Sequence, residues 1–564
     1  MKWTLSARCG VILLTLFASV GHARLPAAAI ASAHPLATQA GFEILDQGGN
    51  AFDAAIAVSA ALAVVEPYGS GMGGGGFWLL HQADSGRNVM IDGREKAPGA
   101  ASRDMYLDNR GQVVRDWAIN GPSAAGIPGQ PAALAHLATS YGSLPLSVTL
   151  APAIRLAREG FQVEEHYRSM ANYRRDVLNR SPEARRIFLN NGEVPPVDHL
   201  IVQPELASLL EQLAEHGHDG FYRGELAQKL VNGVIDNGGL WSEEDLASYQ
   251  VIEREPVVGT FRGAKIISAA PPSSGGVVLI QALNILERFN DGQPDPALLP
   301  HLAIESMRRA YRDRALHLGD PDFVDMPIAR LLDKDYATAL AADIKLDRAT
   351  PSASLGAPIT VEQGTHTSHF SIIDQHGNRV AATLSINLPF GSGFVVPGTG
   401  LLLNNEMDDF SANPGSANAY GLIGGEANAI AAGKRPLSSM TPTFVEWDGK
   451  VAILGTPGGS RIISMVMLAA LEALNGKPPQ DWVSRPRFHH QYMPDMVQAE
   501  PDFVGTEAGK SLLVRGHQME STGRRYGNMQ AVFWDSKSGT LQAAADPRGI
   551  GTGLVRAPEK KQGD

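Results

Sequence analysis

The run that most constrains this chain is AFDAAIAVSAALAVVEPY, which follows Gly48-Gly49-Asn50 in the stretch Ala40–Tyr68. The stretch reads as two helices broken at those three residues. The second is rich in Ala and Val and apolar nearly all round, so other parts of the chain must cover it on every side. A second texture begins near residue 364. GTHTSHFSIIDQHGNRVAATLSINLPFG holds two β-like runs, His369–Asp374 and Arg379–Ile386, around a turn at Gln375-His376-Gly377-Asn378. Before the first run sit two adjacent hydroxyls, Thr367 and Ser368.

Between these regions the periodicity alternates. Helices are expected at Gln130–Tyr141, Val148–Glu159, Gln203–Gly217 and Gly224–Gly239, the last two closing at glycine. WSEEDLASY opens with Ser242 and has Asp245 three residues on, close to a capping box. AKIISAAPPSSGGVVLIQALNILERF reads as strand, turn and helix, and PHLAIESMRRAYRDRALHLGD as one long helix. The segment Asp347–Gly364 lacks aromatics and periodicity, which predicts an exposed or mobile lead into Thr367. Beyond it come short strands and tight turns, then a helix over Arg461–Leu474.

Length alone suggests several domains, since 564 residues exceed the roughly 250–300 that one core usually holds. A formal net charge of −11, with no basic run longer than Lys560-Lys561 or Arg524-Arg525, argues against nucleic acid as partner. Residues 1–23 read as a secretory signal. Lys2 and Arg8 precede the apolar run Gly10–Val20, and Gly21-His22-Ala23 supplies small residues for cleavage. That run is too short for a membrane helix of about 20 residues. Cys9 is the single cysteine, so the mature chain has no disulfide, thiol nucleophile or thiolate metal site. A periplasmic or secreted protein is expected.

Several motifs leave alternatives open. GMGGGGF contains a formal G-x-G-x-x-G, Gly71–Gly76, but a helix precedes it and a strand follows. That reverses the dinucleotide-binding order, and close backbone packing is the better reading. His366, His369, His489 and His490 lack a closing carboxylate set, so no metal is expected. No serine lies in G-x-S-x-G. In LGTPGGSRI, Gly458 and Gly459 precede a helix whose expected N-cap is Ser460. Free N–H groups there could hold an oxyanion, or the glycines could simply start the helix. Glu406, Asp408 and Asp409 in LLLNNEMDDFSA could hold an ammonium, bind calcium or form a solvated turn. Ser438 and Ser439 could donate to a carboxylate. Arg94 could fork onto one, or form a surface ion pair.

Taken in order, ILDQGGNAFDAAIAVSAALAVVEPYGSGMGGGGF, DGREKAPGAASRDMY, THTSHFSIIDQHGN, LLLNNEMDDFSANPG, KRPLSSMTPT, GTPGGSRI and RPRFHHQ resemble the γ-glutamyltranspeptidase (glutathione hydrolase) family, of the N-terminal-nucleophile hydrolase class. The resemblance covers most of the mature chain. It implies a mixed α/β (α+β) four-layer αββα sandwich, one unit built by two chains cut from one precursor, overriding the multi-domain expectation. The cut would fall between His366 and Thr367, giving a large piece of residues 24–366 and a small piece of residues 367–564.

The resemblance also assigns roles. Thr367 is the nucleophile and its freed α-amine the base, a threonine hydroxyl being a poor nucleophile without one. Ser385, where many bacterial members have threonine, would hydrogen-bond it. Gly458 and Gly459 match the oxyanion hole. Arg94, Ser438 and Ser439 match the groups for the substrate's α-carboxylate, and Asn387, Glu406 and Asp409 those for its α-ammonium. Glu406 stands where some members have glutamine. DDFSANPGSANAYGLIGG resembles the lid loop, with Tyr420 at its gating position, which favours glutathione over β-lactam substrates. Ser368 reads as a strand-edge residue. The implied reaction transfers a γ-glutamyl group from glutathione or related amides to water, an amino acid or a dipeptide, without a cofactor. The alternatives are a glutaryl- or cephalosporin-type acylase and a non-catalytic periplasmic amino-acid-binding protein.

Overall fold

The computed structural model describes residues 25–356, 367–412 and 425–557. In it the apolar helix runs Ala51–Val65 and every one of its residues is buried. Asn50 starts it, its side chain accepting from Phe52 and Asp53 while Asp53 accepts back from the Asn50 amide, a complete capping box. The predicted box at Ser242 and Asp245 also forms.

This helix packs on Ser368–Ile373 and Arg379–Ser385, two central strands of a seven-stranded sheet. Its spatial order is Thr552–Arg556, Ala28–Ser32, Ser368–Ile373, Arg379–Ser385, Gly75–Gln82, Arg87–Gly93, Ile252–Arg254, with every neighbour antiparallel. A second, six-stranded antiparallel sheet runs Thr540–Ala545, Gln530–Asp535, Lys450–Gly455, Thr443–Trp447, Ala264–Ser268, Val257–Phe261.

Strand alternation builds the layers. Ala29, Ala31, Leu79, Ile373 and Ala381 face Ile267, Phe444, Ile453 and Val532 between the sheets. Ile30, Trp78, Leu80, Phe370 and Ile372 point the other way, into the core around Ala51–Val65. On the far side Ile266, Val445, Ala452 and Leu454 pack with helices Gly275–Leu286, Leu299–His317 and Arg461–Leu474. The result is helix, sheet, sheet, helix. Residues before and after position 366 alternate within it: Ser368–Ile373 pairs with Ala28–Ser32, and Thr443–Trp447 with Ala264–Ser268. One interlaced unit replaces the several domains that length suggested.

The segment before the expected cut is better anchored than its composition implies. Ala349 N donates to Arg515 O, Thr350 N to a Glu305 carboxylate oxygen and Ser352 N to Asp495 Oδ2, at 2.7–3.0 Å. Backbone amides meet acceptors on other elements here, a signal that periodicity does not carry. Residues 357–366, including His366, lie outside the described residues.

Candidate active site

Thr367 sits half-buried at the head of strand Ser368–Ile373. Its Oγ1 accepts a hydrogen bond from the Gly458 amide at 3.3 Å. Gly458 and Gly459 lie between strand Lys450–Gly455 and helix Arg461–Leu474 with φ of 141° and 57°. Both values lie where a side chain is strained. Ser460 does not cap this helix through its side chain as the sequence suggested. Its backbone is already helical, and its hydroxyl donates to Gln491 Oε1 at 2.6 Å. The helix mouth is therefore formed by the glycine backbone.

On one side of Thr367 the chain brings Arg94, Ser385, Asn387, Glu406, Asp409, Ser438, Ser439 and Gly459 to one cleft. The space left between them is about 20 Å³, room for a single water. Arg94, at the end of strand Arg87–Gly93, is fully buried, so the surface ion-pair alternative falls away. Its Nε donates to Pro436 O at 3.1 Å, and its two terminal nitrogens to Glu406 and Asp409. A third carboxyl, Glu95, stands 3.5 Å from Arg94 Nη1. Three carboxyls, Glu95 and Glu406 buried and Asp409 partly so, thus share one guanidinium. Burial pushes Glu406 up to about 7, with the Asp409 charge adding to it and Arg94 opposing. Burial likewise raises Asp409, and raises Glu95 well above the carboxylate range. Glu406 Oε2 accepts no hydrogen bond among the described residues. An excess of buried acceptors around one cation is an environment that takes a further positive group.

The hydroxyls are oriented by the backbone. Ser385 Oγ accepts from the Asn387 amide at 2.8 Å, and Asn387 holds φ 72° while its side-chain amide donates to Asn405 O. Ser438 Oγ accepts from Met440 N at 3.1 Å. Among the described residues Ser385 lines the cleft with Thr367 without a hydrogen bond to it. Tyr420 lies outside the described residues.

The glycine run supplies the closeness. A methyl group at Gly73 would lie 2.0 Å from Leu402 O, one at Gly74 2.1 Å from Ser385 O, and one at Gly75 2.3 Å from Gly93 O. The three segments carrying Glu406, Ser385 and Arg94 therefore converge on a backbone without side chains. Packing is what this G-x-G-x-x-G does.

The sequence profile of the family described as Gamma-glutamyltranspeptidase matches residues 37–555. The chain belongs to that family. It is 40% identical over 530 residues to the glutathione hydrolase proenzyme of Escherichia coli (strain K12), covering 92% of this chain and 90% of that one. The solved cephalosporin acylase from Bacillus halodurans superimposes with TM-score 0.82 at 29% identity, covering 99% of each chain. The solved γ-glutamyltranspeptidase of Helicobacter pylori gives TM-score 0.56 at 40% identity, covering 59% of this chain and 95% of that one. The protein is an enzyme of the γ-glutamyltranspeptidase family with its four-layer fold.

Two residues beside the cleft were not legible as site residues. Arg314 is buried on helix Leu299–His317; its Nε donates to Ser274 Oγ at 2.8 Å and its Nη2 to Ser439 Oγ at 3.2 Å. Burial lowers it to about 10. Nothing in MRRAYRDRAL separates Arg314 from Arg308, Arg309 or Arg312. Glu66 is the other, buried at the end of helix Ala51–Val65.

The histidines are held by neighbours. His369 Nδ1 lies 2.8 Å from Thr383 Oγ1, His489 Nδ1 2.9 Å from Ser464 Oγ, and His490 Nε2 3.3 Å from Asp495. Among the described residues, His301, Glu305 and His517 bring ligand-type atoms within 4.8 Å of one another. Arg308 and Arg309 pair Glu305, however, and His301 bridges His517 and Lys345 O, which reads as a hydrogen-bonded network. A larger cavity, about 540 Å³ and lined by residues such as Ala135, His136, Leu144 and His218, does not include Thr367.

Proposed function

We propose that this chain is a self-processing γ-glutamyltransferase and glutathione hydrolase with Thr367 as its nucleophile. The observation that carries this reading is the Gly458 amide on Thr367 Oγ1, beside a buried pocket of one guanidinium and three carboxyls. In the precursor, Thr367 Oγ attacks the His366 carbonyl, the amide shifts to an ester, and water releases the two pieces, residues 24–366 and 367–564. The new α-amine, with a reference pKa of about 7.7–8, then serves as base for the same hydroxyl. Attack on a γ-glutamyl amide places an oxyanion where the Gly458 and Gly459 amides can receive it. Water, an amino acid or a dipeptide resolves the ester.

Arg94, Ser438 and Ser439 would hold the donor's α-carboxylate, while Asn387, Glu406 and Asp409 would hold its α-ammonium. A glutaryl group has no α-ammonium to satisfy these carboxyls. That favours γ-glutamyl over glutaryl donors, despite the likeness to a cephalosporin acylase. The basic, apolar and small-residue order of residues 1–23 supports export to the periplasm or beyond. No helix among the described residues is long and apolar enough to cross a membrane.

Mass spectrometry of the purified protein, before and after incubation, tests the reading. The expected products are a small piece beginning TSHFS and turnover of γ-glutamyl amides in preference to glutaryl amides. A chain that never splits, or one that turns over only glutaryl amides, would overturn it.

A further inference from the structure

On the other side of Thr367 lies a second cavity, of about 200 Å³, which Glu66, Tyr68, His166, Gly458 and Arg524 also line. The sequence offered no role for Glu66. Its carboxyl is 2% exposed. Oε2 accepts from the Ser368 hydroxyl at 2.6 Å, and Oε1 from Tyr68 OH at 3.3 Å. Tyr68 OH also reaches Glu164 Oε1 at 3.3 Å. No Lys, Arg or His nitrogen among the described residues makes an ion pair with Glu66, whereas Arg548 pairs with Glu500 and Arg525 with Asp502.

A buried carboxyl without a cation is costly, yet this one is built in, next to the residue that acquires a cation. A methyl group at Gly69 would lie 2.6 Å from Ser368 Oγ and 3.5 Å from both Glu66 Oε2 and the Thr367 carbonyl oxygen. Carboxyl, hydroxyl and the nucleophile's own peptide meet at one point, and only glycine leaves room there. Ser368 is thus no idle strand-edge residue: it is fully buried in a central strand and ties Thr367 to Glu66.

We propose that Glu66 is a positioning residue for the reaction, orienting the freed end of Thr367 through the Ser368 hydroxyl and setting a negative charge against its α-amine. The inference rests on Thr367 being the processed nucleophile. During attack the Oγ proton passes to the α-amine and from there to the leaving amine, while Glu66 keeps its hydrogen bonds and takes no proton from the substrate. Its charge favours the ammonium that forms in between.

The surroundings make that charge adjustable. Burial and the neighbouring Glu164 raise Glu66 to about 7, while Ser368 and Tyr68 oppose the rise. His166, whose ring packs on Tyr68, is lowered by burial, and Arg524, Arg525, Arg548 and Tyr526 line the same cavity. A nearby ammonium would draw Glu66 down, and an ionised Glu66 would in turn hold the amine protonated to higher pH.

The test is Glu66→Gln, confirmed as processed by mass spectrometry, with kcat and KM followed across pH. The expected result is a kcat about tenfold or more lower with donor KM unchanged, and an acid limb displaced to lower pH because the amine loses its counter-charge. A lower kcat with a superimposable pH profile would make Glu66 merely structural and overturn the proposal, as would wild-type kinetics. If Glu66→Gln does not mature, Ser368→Ala decides: it keeps the carboxyl but removes the bridge and the hydrogen bond that helps to keep Glu66 ionised. Its kcat should fall with the acid limb displaced to lower pH, and an unmoved limb would overturn the proposal. Wild-type kcat in Ser368→Ala would overturn the inference. An uncut wild-type chain would instead defeat the reading of Thr367 itself.

Discussion

The Gly458 amide donates to Thr367 Oγ1 at 3.3 Å, across 91 residues of sequence. That one bond joins the two sheets' contributions to the site. Thr367 heads a strand of the seven-stranded sheet, and Gly458 follows a strand of the six-stranded sheet. The acceptor is the hydroxyl proposed to attack, and the donor is one of the two glycine amides proposed to receive the oxyanion, so the two are already neighbours without substrate. Thr367→Ala should therefore fold and remain one uncut, inactive chain. Thr367→Ser keeps the hydroxyl but loses the β-methyl that restricts χ1, so it should cut and turn over more slowly than the parent. Denaturing gel electrophoresis with a γ-glutamyl amide assay distinguishes the three proteins.

Arg94 is the guanidinium facing Glu95, Glu406 and Asp409. Arg94→Gln should weaken donor binding and also strip the pocket's counter-charge, at about 3–5 kcal/mol. The sign with pH follows from the protons. Buried carboxyls without Arg94 have folded-state pKa values above their unfolded ones, so the folded state binds more protons and stability falls as pH rises. Thermal unfolding of Arg94→Gln relative to the parent should be worse at pH 8 than at pH 5. An equal loss at both would mean the carboxyls do not depend on Arg94.

Glu406 carries a donor-binding prediction of its own. With its pKa raised to about 7, it is protonated below that pH and holds an ammonium less well. Donor KM should rise as pH falls through about 7, and Glu406→Gln should flatten that rise while raising KM on the alkaline side. The readout is KM against pH for a γ-glutamyl amide; parallel curves for the two proteins would exclude Glu406 from ammonium binding.

The parts of the molecule legible in the sequence are those dictated by local rules. The apolar helix, its break at Gly48-Gly49-Asn50, the Ser242 capping box and the helix Arg461–Leu474 all follow from periodicity and capping. From its residues alone the cleft was legible only as separate fragments, which the family resemblance gathered into one site. The segments carrying Arg94, Ser385 and Glu406 meet through backbone contacts at Gly73–Gly75 that no spacing encodes. Glu66 and Arg314 stayed hidden for a related reason. Their partners Ser368 and Ser439 lie 302 and 125 residues away, and neither residue stands in a pattern that differs from an ordinary helix end or a charged helix. Of the Asp347–Gly364 stretch, residues 347–356 are mostly exposed as expected, and what the sequence did not show is their anchoring through amides whose acceptors sit on Glu305 and Asp495.

The glycine run gives the last prediction. Gly73 faces Leu402 O, its amide-flanked carbonyl accepts from Asn404, and the following turn carries Glu406 and Asp409. A methyl group there, 2.0 Å from Leu402 O and 3.3 Å from Leu403 Cα, meets backbone that cannot rotate away. Gly73→Ala must displace the segment Leu402–Glu406 or its own turn, with a cost of about 1–3 kcal/mol or more. Glu406 and Asp409 would move with that segment while the Thr367–Gly458 pair, on other segments, would not. Donor KM should accordingly rise more than kcat falls, together with a lower Tm. Gly505→Ala, at a position with open space around it, is the control and should stay within about 0.5 kcal/mol of the parent. A Gly73→Ala protein with the parent's KM and Tm would show that the close approach does not hold the ammonium side of the cleft in place.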